Sequence, residues 1–285
     1  MKKSFYTWDD FVSNFGKEMV SAESVYQSML KSGLKEFSLV KFDFHFNSDK
    51  REKLEKLYAF LKKHYLYTYE PIYRTENGLW ELTGVSNSFP ATNENLMYWA
   101  LDLAKRAYEF DAELEGYGAT FDNKYFPEFT KSKEDYYFDL AIERYQEDDL
   151  SGAIINFNNV LKINSQEVNS YYSRAIVKNE LYTWKAAIRD YDKAIELAPN
   201  FITAILNRGA LKDDNSDYTG ALEDYTRVVK YEKSDAKNIQ LAYFNRGNTY
   251  LHLNEKNLAC KDWHKALELG ADYAKERIAK YCQKK

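Results

Sequence analysis

WKAAIRDYDKAIELAP, residues 184–199, decides the fold of the second half of this chain. In it a small residue, Ala187, precedes an aromatic one, Tyr191, by four positions, which puts both on one face of a helix. The pair recurs as Ala153 with Phe157, Ala221 with Tyr225 and Ala259 with Trp263. The first three alanines are 34 residues apart and the fourth follows after 38. A fixed period of this length marks a helical repeat array, in which each unit buries its apolar face only against its neighbours.

Other positions keep the same register. Tyr137, Tyr171, Ile205 and Tyr243 open a first helix, and Ala141, Ala175, Gly209 and Gly247 sit at its crossing point, where lack of bulk lets two helices approach closely. Val160, Ala194, Val228 and Ala266 close a second helix, followed by Ile163, Leu197, Tyr231 and Leu269. The four additional residues of the last spacing fall within Ser234 to Ile239 and are expected between repeats. Residues 134–269 resemble the tetratricopeptide repeat family, with Pro199 as the single copy of that family's closing proline. The resemblance implies an all-α tetratricopeptide-repeat solenoid, with repeats at 134–167, 168–201, 202–235 and 240–270. Residues 271–283 then form an amphipathic helix that caps the last apolar face.

Arg174, Arg208 and Arg246 replace the Leu common in this family, and an aspartate follows each by 16 residues: Asp190, Asp224 and Asp262. The first repeat breaks both positions together, with Leu140 and Asn156. Partly buried charges need partners, so three Arg–Asp salt bridges within repeats are expected; a row of arginines for an acidic ligand is the alternative. In the family the first helices line a concave groove. The residues placed to face it are Phe138, Asp139, Tyr172, Ser173, Leu206, Asn207, Phe244 and Asn245, with Asn248 nearby. Asparagine amides there can donate to and accept from an extended peptide at once; a solvated face is the alternative. The basic clamp for a C-terminal carboxylate is missing, since Asp139, Asp213 and Asp214 occupy that side.

The first half follows a different rhythm. From Glu36 to Phe46 the chain alternates, with Val40, Phe42, Phe44 and Phe46 on one face and Lys41, Asp43 and His45 on the other, as in a half-buried strand. Ser48 or Asp49 is placed to cap a helix carrying Leu54, Leu57, Tyr58 and Leu61. Tyr67 to Arg74 and Leu79 to Val85 flank Asn77-Gly78, a hairpin signal. After Pro90 and Thr92 comes a second helix, with Leu96, Ala100, Leu103, Ala104 and Ala107 as its apolar stripe, and Glu113 to Phe121 resumes an extended pattern. The order βαββαβ predicts an α+β domain on the ferredoxin-like plan, an antiparallel sheet with both helices on one face. Ahead of it, Phe5, Trp8, Phe11, Val12 and Phe15 suggest one helix and Ala22 to Leu30 a second.

The run ending in Leu114-Glu115-Gly116-Tyr117-Gly118 stands where the ribonuclease E inhibitor family, or regulator of ribonuclease activity B, has a Tyr-Asp-Gly-Trp-Gly-like motif. With the element order and Trp80, it makes residues 22–122 resemble that family, leaving 1–21 as a helical extension and 123–133 as a linker. The resemblance implies binding to an endoribonuclease and restraint of RNA cleavage by protein contact. A structural role for Glu115, Gly116, Tyr117 and Gly118 is the alternative, with the glycines permitting a bulge.

The formal charge of −4 is divided as 16 basic against 20 acidic residues up to 128 and 24 against 24 thereafter, so neither half has the basic surface of a nucleic-acid binder. No stretch approaches the roughly 20 apolar residues of a membrane span. Cys260 and Cys282 form no disulfide framework or metal pair by spacing, which points to a reducing, cytoplasmic setting. Four scattered histidines, no nucleophile beside a base and no phosphate-cradling loop give no catalytic residue, cofactor or metal. The expectation is a non-enzymatic adaptor or regulator whose groove binds protein and whose first domain contacts a ribonuclease. Alternatives are a repeat scaffold with a purely structural first domain, an RNA-binding protein, or an enzyme with an interdomain site.

Overall fold

The computed structural model describes residues 4–121, 123, 125–231 and 235–282. Contacts divide the chain into one unit of Met1–Ser170 with Glu180–Tyr182 and another of Tyr171–Asn179 with Thr183–Lys285.

The first unit opens on α1, Trp8–Lys31, whose Thr7 and Asp10 form a capping box. It is one helix rather than the two expected. Gly16 lies inside it with nothing within 4 Å of where a Cβ would stand, and a lone glycine costs only about 1 kcal/mol in a helix. The buried stripe Phe11, Ala22, Tyr26 and Met29 holds both halves to one core. β1 (Leu39–Ser48) follows, then α2 (Arg51–His64), β2 (Thr68–Tyr69), β3 (Tyr73–Arg74), β4 (Trp80–Val85), β5 (Phe89–Pro90), α3 (Asn93–Glu109) and β6 (Glu113–Thr120).

β1 is the centre of an antiparallel sheet, with β6 on one side and β4 on the other. β2 and β3 pair with the far edge of β4, and β5 with the start of β1, giving the ferredoxin-like order. The expected second strand is split because Pro71 has no N–H to give to a ladder. Gly84 is required on β4: a Cβ there would lie 2.5 Å from Phe44 Cζ and 2.6 Å from the Thr68 carbonyl. Phe42, Phe44 and Phe46 are fully buried beneath Leu54, Leu57 and Leu61 of α2 and Leu96, Trp99 and Leu103 of α3. Neither Ser48 nor Asp49 caps α2. Ser48 Oγ donates to the Asp111 carbonyl and Asp49 pairs with Lys53, leaving Lys50 at the cap position.

After a short 3-10 turn, α4 (Glu134–Gln146) and α5 (Leu150–Ile163) form the first helical hairpin, which belongs to this same unit. Ile155 of α5 is part of the α/β core.

The second unit takes in most of α6 (Val168–Glu180), then α7 (Trp184–Leu197), α8 (Ile202–Asp214), α9 (Tyr218–Lys230), α10 (Ala236–His252), α11 (Lys256–Glu268) and α12 (Ala274–Tyr281). These helices are a tetratricopeptide-repeat solenoid in fold, and α4 with α5 of the first unit follow the same hairpin plan. Close crossing depends on the glycines: a Cβ on Gly209 would come within 2.9 Å of the Tyr225 ring, and one on Gly247 within 2.7 Å of Trp263. The four additional residues lie inside a helix. α10 begins ten residues before Arg246, whereas α8 begins six before Arg208, so they add a turn to α10. Asp235 caps that turn, and Ser234 lies outside the described residues.

Cys260 and Cys282 are joined by a disulfide, with their Cα atoms 5.6 Å apart. Spacing alone missed this, because the partners meet only when α12 folds back on α11. The bond ties down the end of the array, where Ala271 and Ala274 are buried and Tyr281 packs on Trp263. It also removes cysteine usage as an argument for a reducing compartment.

Candidate functional site

Alternation along β1 sends Asp43, His45 and Asn47 to the sheet face that the helices leave open. His45 is held there by two carboxylates: Nδ1 lies 2.9 Å from Glu81 Oε1 and Nε2 3.6 Å from Asp43 Oδ2. β6 runs beside it with Gly116 opposite His45 and Gly118 opposite Asp43. Nothing lies within 4 Å of where a Gly116 Cβ would be. The two glycines therefore leave the backbone and the His45–Asp43 pair accessible from the side. The register slips between His45 and Phe46, and the residue left over is Glu115, whose carboxylate accepts from the Asn47 amide. Tyr117 turns the other way, with its ring edge-on to Trp99 at 5.5 Å and its hydroxyl 3.4 Å from the Glu18 carbonyl. Of the four motif residues, Glu115, Gly116 and Gly118 shape the open face, whereas Tyr117 belongs to the core side.

In the second unit the arginines meet the aspartates of their own hairpins. Arg174 binds Asp190 through Nε and Nη2 at 2.8 and 2.6 Å. Arg208 binds Asp224 at 2.9 and 2.5 Å, and Arg246 binds Asp262 at 2.7 and 2.9 Å. A lysine one turn later reinforces two of them: Lys178 lies 3.1 Å from Asp190 and Lys212 3.0 Å from Asp224. In the last hairpin Tyr250 takes that place and packs beneath the Arg246 guanidinium. Arg208 also reaches Asp192 of the preceding hairpin at 2.6 Å, so the ladder joins hairpins as well as closing them.

The residues expected to line a groove do not share one role. Leu206 is only 3% exposed, because α8 packs this position into the core beside Ile205. Asn248 Oδ1 accepts from Trp263 Nε1 at 3.2 Å, and Asn245 stands beside the Tyr225 hydroxyl. Phe244 is met edge-on by Tyr273 at 4.7 Å. Asn207, half-buried, donates to the Tyr172 hydroxyl at 3.2 Å, and Ser173 is half-buried near it in sequence. Asn207 and Tyr172 thus join an amide and a hydroxyl, both half-buried, between α6 and α8. Phe138 and Asp139 are in the first unit, where Phe138 packs on Phe157.

Residues 21–119 match the family model described as Regulator of ribonuclease activity B. No curated protein matches the chain. Among solved structures, MamA residues 41 to the end from Desulfovibrio magneticus RS-1 is similar at 18% identity with a TM-score of 0.46, over 54% of this chain and 96% of that one. The N-terminal domain of stress-induced protein-1 from C. elegans is 22% identical with a TM-score of 0.38, over 41% and 94%. The Arabidopsis OM64 TPR domain is 20% identical with a TM-score of 0.38, over 42% and 97%.

The match to regulator of ribonuclease activity B ends before the first hairpin, yet a buried polar network seals that hairpin to the matched segment. Arg106 of α3, 2% exposed, donates to the Asp148 carbonyl and carboxylate at 2.6 and 2.8 Å and to Tyr65 Oη at 3.0 Å. Asp102, fully buried one turn earlier, accepts from Tyr65 Oη at 2.9 Å and from the Ser151 N–H at 3.0 Å. Sequence reasoning passed over this pair. Its signal was a charged i, i+4 couple set among Leu101, Leu103, Ala104 and Ala107.

Proposed function

We propose that the chain is a non-catalytic adaptor with two protein-binding faces, and that the open sheet face of its regulator of ribonuclease activity B domain engages a ribonuclease. The observation that carries this is the acidic strip of Asp43, Glu81 and Glu115 around His45, opened by Gly116 and Gly118 inside the matched segment. Such a face suits a basic protein surface through charge complementarity, which sets partner choice and on-rate more than affinity. No helix among the described residues is long and apolar enough to cross a membrane. In the second unit, Asn207 with Tyr172 is proposed to hold the backbone of an extended partner segment.

The test is capture from native lysate by the intact chain, with an RNase-treated control, followed by an RNA-cleavage assay on any ribonuclease recovered. Wild type should recover a ribonuclease and slow its cleavage. Asp43→Ala with Glu115→Ala should lose both while melting within about two degrees of wild type, as expected for exposed positions. Equal capture by wild type and double variant would reject the sheet face. Asn207→Ala should weaken a different set of partners, and loss of the same set would mean that the two faces are not separate.

A further inference from the structure

The first unit encloses a cavity of about 620 Å³, within the usual range for small-ligand sites. Tyr67, Phe89, Trp99 and Tyr137 are among its walls, and two buried polar groups on α5 and its cap face into it. Asn159 is 4% exposed, and its amide has no hydrogen-bond partner among the described residues. Asp149 is 7% exposed. Its Oδ1 accepts from the Gly152 N–H at 2.8 Å and from Ser151 Oγ at 3.3 Å, while Oδ2 has no such partner among the described residues. Capping does not explain this burial. Asp217 caps α9 in the same way, accepting from the Gly220 N–H at 3.0 Å, and is exposed.

The cations near Asp149 are already committed. Arg106 pairs with Asp102, Glu109 and Asp148. Arg144 on α4, which also lines the cavity, is held through its two terminal nitrogens by Glu143 and Glu147 at 2.8 Å each while its Nε has no hydrogen-bond partner among the described residues, and Lys133, another lining residue, lies 3.1 Å from Glu128 of the connecting segment. The Tyr65 and Tyr67 hydroxyls near it stay neutral, since burial first and nearby carboxylates second raise both well above the usual phenol range. Asp149 thus faces an aromatic-walled space with no cation in ion-pair contact among the described residues, and Arg144 acts on it only as a more distant charge.

We propose that this cavity binds an organic monocation, an ammonium or guanidinium on an apolar body, with Asp149 as counter-ion, the Asn159 amide oxygen as second acceptor and the aromatic rings as walls. Ring faces attract cations, most strongly where water is excluded. Burial, and then the neighbouring Asp102, push the Asp149 carboxyl up to about 7. A bound cation brings it down, so binding releases a proton near neutrality and strengthens as pH rises. The cation is either a free amine or the side chain of a lysine or arginine in a polypeptide.

Calorimetric titration of the intact chain with phenethylamine and with its neutral counterpart 2-phenylethanol tests this. The amine should bind about tenfold tighter than the alcohol at pH 8, and the preference should shrink at pH 6. Asp149→Asn, which retains a capping oxygen, should abolish the preference. Should that variant fail to fold, Asn159→Leu keeps the carboxylate and should weaken amine binding by about threefold. Equal affinities, no binding of either compound, or a preference that survives Asp149→Asn would overturn the proposal. A response to an N-acetylated Phe-Lys amide as well as to the amine assigns the cation to a polypeptide, and a response to the amine alone to a small molecule; both support the site.

Discussion

In the first hairpin Leu140 and Asn156 occupy the positions that Arg174 and Asp190 hold in the second, joined there by two short hydrogen bonds. The template is shared, and the charges have moved. The first hairpin carries its buried polar contacts at its turn, where Asp148 and Ser151 bind Arg106 and Asp102 of the α/β domain. The later hairpins carry theirs across their own two helices. In both cases a buried charge has a partner of opposite sign: hydrogen-bonded in the later hairpins, and for Asp102 an ion pair with Arg106 at 3.3 Å. What differs is the element that the charge fastens: a hairpin to a sheet domain in one, a helix to its sister in the other.

The largest expected effect comes from Arg106→Ala, which leaves Asp102 buried without its cation. Stability of the first unit should fall by about 3–5 kcal/mol in urea titration. A change under 1 kcal/mol would mean that the network does not hold the hairpin. Cys282→Ser should lower stability by roughly 3 kcal/mol, as loss of a crosslink closing about 22 residues implies, and the loss should be confined to the second unit. Arg208→Leu should cost about 2–3 kcal/mol, since Asp224 would keep only Lys212. Adding Asp224→Asn recreates the pairing of the first hairpin and should recover most of that loss. If the double variant is as unstable as the single one, charge pairing is not what distinguishes the hairpins.

The effect that appears only as pH is varied is confined to the first unit. The Asp149 carboxyl is raised in the folded chain, so its contribution to stability is fully present below its unfolded value near 4 and is lost as pH rises through about 7. Asp149→Asn removes that titration. Its stability relative to wild type should therefore climb over this window, by up to about 4 kcal/mol for a rise from near 4 to about 7, and level off above it. A flat difference would place the buried carboxyl elsewhere in the titration.

Much of the fold was legible because it rests on periodicity. The alternation of Phe42, Phe44 and Phe46 fixed a central strand, Asn77-Gly78 fixed a hairpin, and the 34-residue spacing fixed the hairpin helices. Local propensity misled where continuity of a core mattered more. α1 runs through Gly16, and the residues expected as a loop before the last repeat add a turn to α10. The surfaces were less legible, because a helical position does not say how near the next helix comes. Leu206 is sealed by such an approach, and Asn248 serves Trp263. The Cys260–Cys282 bond and the Arg106 network depend on tertiary meetings that spacing does not encode.

Hydrogen exchange on the intact wild type and on Arg106→Ala tests the central contrast most directly. The first hairpin should lose protection together with α2 and α3, while α8 to α11 keep theirs. Loss of protection in α4 and α5 together with α8 to α11, leaving α3 protected, would contradict the assignment of the first hairpin to the sheet domain.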